Sequence, residues 1–173
     1  MLPCLCYTGS MKIHVSALIA LVSAVLLGWW LLSSSAERQI RKVFDQVARE
    51  VAKTGPEHPF EELSKAKKLA RHVGTRLRIE GMGERHDLTF DQENLPRQIA
   101  LLRRELQTFS VSFDQLTVTI KKDGTAEAFC NAICSNPPSW VDNSRAYALT
   151  ATLKKADSGD WRFAALHFAP LVP

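Results

Sequence analysis

The hydrophobic period changes at Phe109, and nothing else in the chain constrains the fold as strongly. Before that point apolar residues recur at helical spacing. Ile40, Val43, Phe44, Val47 and Val51 form an i, i+3, i+4, i+7 stripe between Ala36 and Lys53, and Gly55-Pro56 ends it. Phe60, Leu63, Ala66, Leu69, Ala70 and Val73 repeat the pattern, with Gly74 as the stop. Two short extended pieces follow, over residues 75–80 and 86–90, joined through Gly81-Met82-Gly83. Asp91 or Asn94 then caps a third helix with Pro96 in its first turn, whose apolar face is Leu95, Ile99, Leu102 and Leu106.

After Phe109 the period is two. Val111 and Phe113 alternate, then Leu116, Val118 and Ile120 alternate in the opposite parity. A parity switch inside one strand predicts a β-bulge near Asp114-Gln115. Lys122-Asp123-Gly124 makes a hairpin turn, and further strands are expected over 126–135, 144–155 and 161–172. Asp157-Ser158-Gly159-Asp160 links the last two, and Asn136-Pro137-Pro138 opens a longer loop. Helices first and hairpins after predict an α+β domain over 37–173. Its helices would lie on the concave face of a curved, mostly antiparallel sheet, enclosing an apolar cone.

The first 36 residues are a different material. Every Asp and Glu lies at or after Glu37, and no charge falls between Val15 and Leu32. As a helix, Val15 to Leu32 or on to Ala36 would span about 27 to 33 Å, enough to cross a bilayer. Trp29 and Trp30 sit where interfacial aromatics belong. The expectation is a single-pass transmembrane helix over Val15–Ala36, with 1–36 as tail and anchor. Ser34-Ser35-Ala36 would also suit a signal peptidase, so an anchor and a cleaved segment both stay open. Met11-Lys12-Ile13-His14 is a better leader than Met1-Leu2-Pro3, so translation starts at either Met1 or Met11. Only in the first case do Cys4 and Cys6 stand beside the membrane, open to acylation. Arg38, Arg41 and Lys42 against Lys12 would hold the domain in the cytoplasm, whereas the order of basic start, apolar run and small residues favours export. The reading adopted is an extracytoplasmic domain on a membrane anchor.

The helix-then-meander order from Glu37 to Pro173 resembles the nuclear transport factor 2-like, or cystatin-like, superfamily, which includes the SnoaL-like cyclases. The residues that carry the resemblance are the opening helix 37–53, the ending His72-Val73-Gly74, and the last strand Trp161-Arg162-Phe163-Ala164-Ala165-Leu166-His167-Phe168. An anchor followed by such a domain also resembles, in architecture alone, the inner-membrane bridging subunit of type IV secretion systems. The first resemblance implies a cone that is filled, binds a ligand, or carries an acid–base set; fold alone does not choose. Ketosteroid isomerase in that superfamily works with an Asp base and an oxyanion hole of Tyr and protonated Asp. Here Phe44 and Val47 fill the inward stripe of the first helix. The inward candidates are His167, Asp114 and Tyr147, with His86 and Asp87 at the mouth. A neutral imidazole at His167 would serve as a general base near neutral pH, and equally as a bonded core residue. Asp114 beside a bulge would be re-aimed into the pocket or would serve the turn.

Other chemistry is excluded or left bland. Cys130 and Cys134 on one strand lie about 13 Å apart, beyond disulfide reach unless the strand kinks at Asn131–Ile133, so they read as small buried residues, and with no His pair they make no zinc site. No metal or cofactor is expected. The charge, 22 Lys+Arg against 18 Asp+Glu for a net +4, is too even for a nucleic-acid binder. The basic run Lys65, Lys67, Lys68, Arg71, Arg76, Arg78 lacks interleaved aromatics; it reads as a solvated face or as a contact for anionic lipid or an acidic partner. Two functions follow. One is a membrane-anchored, non-catalytic domain that binds a protein partner, self-associates or builds an envelope assembly. The other is a SnoaL-like acid–base enzyme or a binder of a small apolar ligand in the cone, which requires at least two of the three candidates to meet in one void.

Overall fold

In the computed structural model, which describes residues 35–81, 87–136 and 145–171, the elements alternate before they settle into a meander. They run α1 (35–51), α2 (Pro59–Arg71), β1 (Val73–Glu80), β2 (Leu88–Asp91), α3 (Leu95–Glu105), β3 (Ser110–Ile120), β4 (Thr125–Ser135), β5 (Ala146–Lys155) and β6 (Trp161–Pro170). The chain divides into the units Met1–Ala36 and Glu37–Pro173, and the description below concerns the second.

Local chemistry explains the helix ends. His58 caps α2, its Nδ1 accepting the Phe60 N–H at 3.4 Å, and Pro59 stands at the start, where a missing N–H costs nothing. Glu61 and Glu62 in the first turn and Lys68 and Arg71 in the last match the helix dipole. Asn94 is the α3 N-cap but makes no side-chain capping bond; Pro96 sets that start.

The six strands form one sheet in the order β2-β1-β6-β5-β4-β3. Four pairings are antiparallel and β1–β6 is parallel. The register of β3 on β4 shifts between Asp114 and Thr117, where the parity switch predicts a bulge. Gln115 takes φ 56° there, and its Oε1 accepts from Asn131 Nδ2 at 3.2 Å. Gly81 ends β1 at φ +79°, and a Cβ on it would lie 1.9 Å from the Phe168 carbonyl oxygen, so only glycine fits.

One face of the sheet is the core. Ala126, Ala128, Cys130 and Ala132 of β4 alternate inward opposite Leu153, Ala151, Leu149 and Tyr147 of β5, all buried. Small residues on β4 let α1 approach. Ile40 and Phe44 are fully covered, and the Phe44 ring meets Phe113 and Phe163 edge-on at centroid distances of 5.0 and 5.1 Å. Such pairs contribute about 1 kcal/mol each beyond their burial.

The helices are joined by buried charge. Arg103 of α3, 3% exposed, donates from Nη1 to the carbonyls of Glu50 and Val51 and from Nη2 to that of Ala52, which caps the C-terminal turn of α1. The same guanidinium grips Glu57 at 2.7–3.0 Å, and Lys65 reaches Glu57 at 2.8 Å. Lys53 donates to the Arg103 carbonyl and stands 3.7 Å from Glu62, which also pairs with Arg104 at 3.1 Å.

Two expectations are corrected. The sheet is mixed and open, not curled into a cone: β6 pairs in parallel with β1, so the first strands join the meander through its last one. And no helix among the described residues is long and apolar enough to cross a membrane. The helix at 35–51 is amphipathic and carries Glu37, Arg38, Arg41, Lys42 and Asp45. The single-pass anchor, the membrane as partner through Val15–Ala36, the extracytoplasmic placement and the reading as a membrane-anchored assembly domain thus find no support among the described residues and are not carried further. The apolar run up to Ser34, Cys4, Cys6, both candidate start sites and His86 lie outside the described residues.

Candidate functional site

Burial on the core face is uneven along the strands. At the hairpin end, where β3 turns into β4 and β5 into β6, Ala126, Ala128, Ala151 and Leu153 are fully covered and Trp161 and Phe163 nearly so. At the other end Val111 of β3 and Cys134 of β4 are only half-buried, as is Phe168 of β6, whose ring meets Tyr147; Leu166 of β6, level with covered Ala151, is half-buried too. Ile79 of β1 registers with Leu166, shares that face and is also half-buried, and Leu88 of β2 beside it is 39% exposed. On α3, Ile99 and Leu106 are half-buried and Leu102 is 40% exposed. On β4 and β5 the core face is covered from the hairpin end as far as Ala132 and Tyr147; it is partly open at Val111 and Cys134, along Leu166 and Phe168 of β6, and at Ile120 of β3, which is 38% exposed at the hairpin end.

The three candidate residues are not brought together. Tyr147 is inward and 3% exposed, with the Phe168 ring edge-on at 6.1 Å. His167 registers with Thr150 and Glu80 on the opposite face; it is exposed, and its Nδ1 lies 3.5 Å from Glu80 Oε2. Glu80 also pairs with Arg78 at 2.6 Å, and Arg78 with Asp87 at 2.9 Å. Hydrogen bonding to Asp87 and the charges of Glu80 and Asp87 raise the Arg78 pKa further. Asp114 is exposed on β3, the free edge of the sheet, where it lines a cleft of about 610 Å³ with Arg41 and Asp45 of α1 and the bulge residues Gln115 and Leu116. Two strands separate it from His167, about 14 Å at ordinary strand spacing.

The chemistry of the open end follows from what points inward. Among the described strand residues of that face the ionisable ones are Tyr147, Cys130 and Cys134, together with exposed Lys155 at the far, hairpin end. Burial, helped by the charge of Asp114, pushes the Cys130 thiol up to about 11, and burial pushes Cys134 up as well. A phenol that donates and accepts, amid apolar side chains, can orient a ligand. No group of three or more His, Cys, Asp or Glu among the described residues could hold a metal ion.

The positions the sequence did not propose for a pocket are Val111, Cys134 and Phe168. Their inward parity is legible in the alternation, but their partial exposure is not. The basic run is mostly spent on ion pairs: Lys65 on Glu57 and Glu61, Lys68 on Glu50, Arg76 on Asp91 and Arg78 on Glu80 and Asp87.

No family model matches the sequence, and no curated protein sequence matches it. Solved structures do resemble the fold. A nuclear transport factor 2-like protein with a cystatin-like fold from Novosphingobium aromaticivorans aligns at TM-score 0.61 and 16% identity, covering 84% of this chain and 88% of its own. A candidate dehydratase of the nuclear transport factor 2-like family from Streptomyces avermitilis aligns at 0.53 and 12% identity, over 82% of this chain and 99% of its own. A protein from Catenulispora acidiphila in complex with S-DNPA aligns at 0.51 and 9% identity, over 80% and 93%. Identity this low speaks for the fold alone. The domain has the nuclear transport factor 2-like, cystatin-like fold.

Proposed function

We propose that the domain binds a small apolar ligand on the helix-covered face of its sheet, entering at the end lined by Val111, Cys134 and Phe168, with the Tyr147 hydroxyl as its polar contact. The observation that carries this is the partial exposure of apolar inward side chains around covered Tyr147: Val111, Cys134 and Phe168 are left half-open, whereas a filled core would cover them. The S-DNPA complex of one similar structure and the description of another as a candidate dehydratase support a ligand on this fold. The reading is binding rather than proton transfer, because His167 points to the opposite face, Asp114 sits exposed on the free edge, and the thiols of the core face are held protonated at neutral pH.

The test uses the whole chain and the neutral fluorophore N-phenyl-1-naphthylamine. Saturable binding near one equivalent is expected, and Cys134→Trp, which fills the opening, abolishes it while circular dichroism stays unchanged. Equal binding by a folded Cys134→Trp variant would sink the proposal.

A further inference from the structure

Away from that face, α2 and α3 leave an apolar groove between them. Phe60 is 80% exposed, Leu101 53% and Leu63 38%. With Pro59 and Ala100 they line a hollow of about 440 Å³, within the range of small-molecule sites. Single exposed apolar residues need no explanation, but a contiguous set on two helices marks a binding surface. Phe60 is held in place: its ring stacks on His58 at 5.9 Å and 8°, and its N–H is tied to His58 Nδ1.

Both flanking charges are positive. Arg97 and Arg104 stand two turns apart on one face of α3 with Ala100 and Leu101 between them, and no carboxylate lines the groove. Arg104 spends its Nε on Glu62 at 3.1 Å, leaving its terminal nitrogens outward on a side chain 57% exposed. Arg97 is exposed and makes no ion pair among the described residues. An apolar trough with a free guanidinium fits one ligand chemistry: an alkyl chain ending in a carboxylate, whose two oxygens match the guanidinium fork.

We infer that the α2–α3 groove is a second ligand site, which takes a monomeric fatty acid with its chain along Phe60, Leu63 and Leu101 and its carboxylate on Arg97. The site shares no residue with the proposed opening on the sheet, so each stands or falls alone.

Isothermal titration of the whole chain with decanoate, below its micellar concentration, tests it. Saturable binding is expected, with decyltrimethylammonium at least tenfold weaker because its head is repelled. Phe60→Ser and Arg97→Glu change exposed side chains only and should each raise the dissociation constant about tenfold or more, the first through lost apolar contact and the second through charge reversal. Cys134→Trp should leave decanoate binding as it is. Equal affinity for the cationic amphiphile, indifference to both groove variants, or loss of decanoate binding in Cys134→Trp would overturn the inference. So would a sedimentation velocity run in which Phe60→Ser converts a dimer to a monomer, since a second copy would then fill the groove.

Discussion

Arg103 has more partners than any other side chain described. It caps one helix with three bonds, holds Glu57 with a two-pronged grip, and offers its own carbonyl to Lys53. Such a group costs little while every partner is present and much once one is removed. Glu57→Gln is expected to destabilise the domain by roughly 3 kcal/mol in urea unfolding, since it removes the carboxylate that neutralises the buried Arg103 guanidinium. The pH dependence has a definite sign. Burial pushes the Glu57 carboxyl up, but hydrogen bonds from Arg103 and Lys65 and their charges outweigh it and hold the pKa below its ordinary 4.5. The resulting stability is present above 4.5 and is lost as pH falls through the lowered folded value. Lys65 works the other way. Hydrogen bonds from its amine to Glu57 and Glu61 raise its pKa above 10.5, so its contribution holds below 10.5 and fades as pH rises through the raised value. Unfolding midpoints measured across pH should fall at both limits, and Glu57→Gln should flatten the acid limb. Among the thiols, iodoacetamide should modify Cys134 slowly, faster with rising pH, and should spare fully covered Cys130; peptide mapping reads both sites.

The elements show how far the sequence could be read. Ile40, Val43 and Phe44 are buried as the α1 stripe predicts, and the β3 bulge falls where the parity switches. Helix α2 breaks its own pattern: Phe60 and Leu63 turn outward while Glu62 is 4% exposed. Periodicity sees hydrophobicity, and the partners that bury Glu62, namely Lys53 and Arg104, are distant in the chain. Arg103 was invisible for the same reason. The site suffered likewise. Tyr147 is inward, but the β6 register shifts between Thr152 and Leu153 of its partner, and beyond that shift His167 lies on the other face. One extra residue in β6, Ala164, decided which side chains of that strand face the core. At the element scale, Gly81 is the sharpest test. Gly81→Ala sets a methyl against the Phe168 carbonyl at a positive φ, so β1 and β6 must separate locally. A loss of about 3 kcal/mol is expected by urea titration, with amide exchange quickening first at Ile79 and Phe168. Gly124→Ala also sits at positive φ but meets nothing within 4 Å, and should cost only about 1 kcal/mol.

For the whole molecule, the order β2-β1-β6-β5-β4-β3 makes β6 the one strand that touches both halves of the sheet. β1 and β2 have no other partner in the meander. A chain ending at Lys155 should keep hairpin-like β3–β5 but lose the cooperative transition, giving a broad, probe-dependent melt by fluorescence and circular dichroism.

The same connectivity fixes an order of events during synthesis. About eighty residues separate the end of β1 from the start of β6, so at about 5–20 residues per second the early strand waits roughly 4 to 16 seconds for its parallel partner. Through that interval the nascent chain carries an unpaired edge bearing Leu77 and Ile79, open to any other extended chain nearby. Crowded translation is thus the setting in which this fold is most exposed to mispairing, and a chaperone that covers residues 73–80 until β6 emerges would raise its yield most.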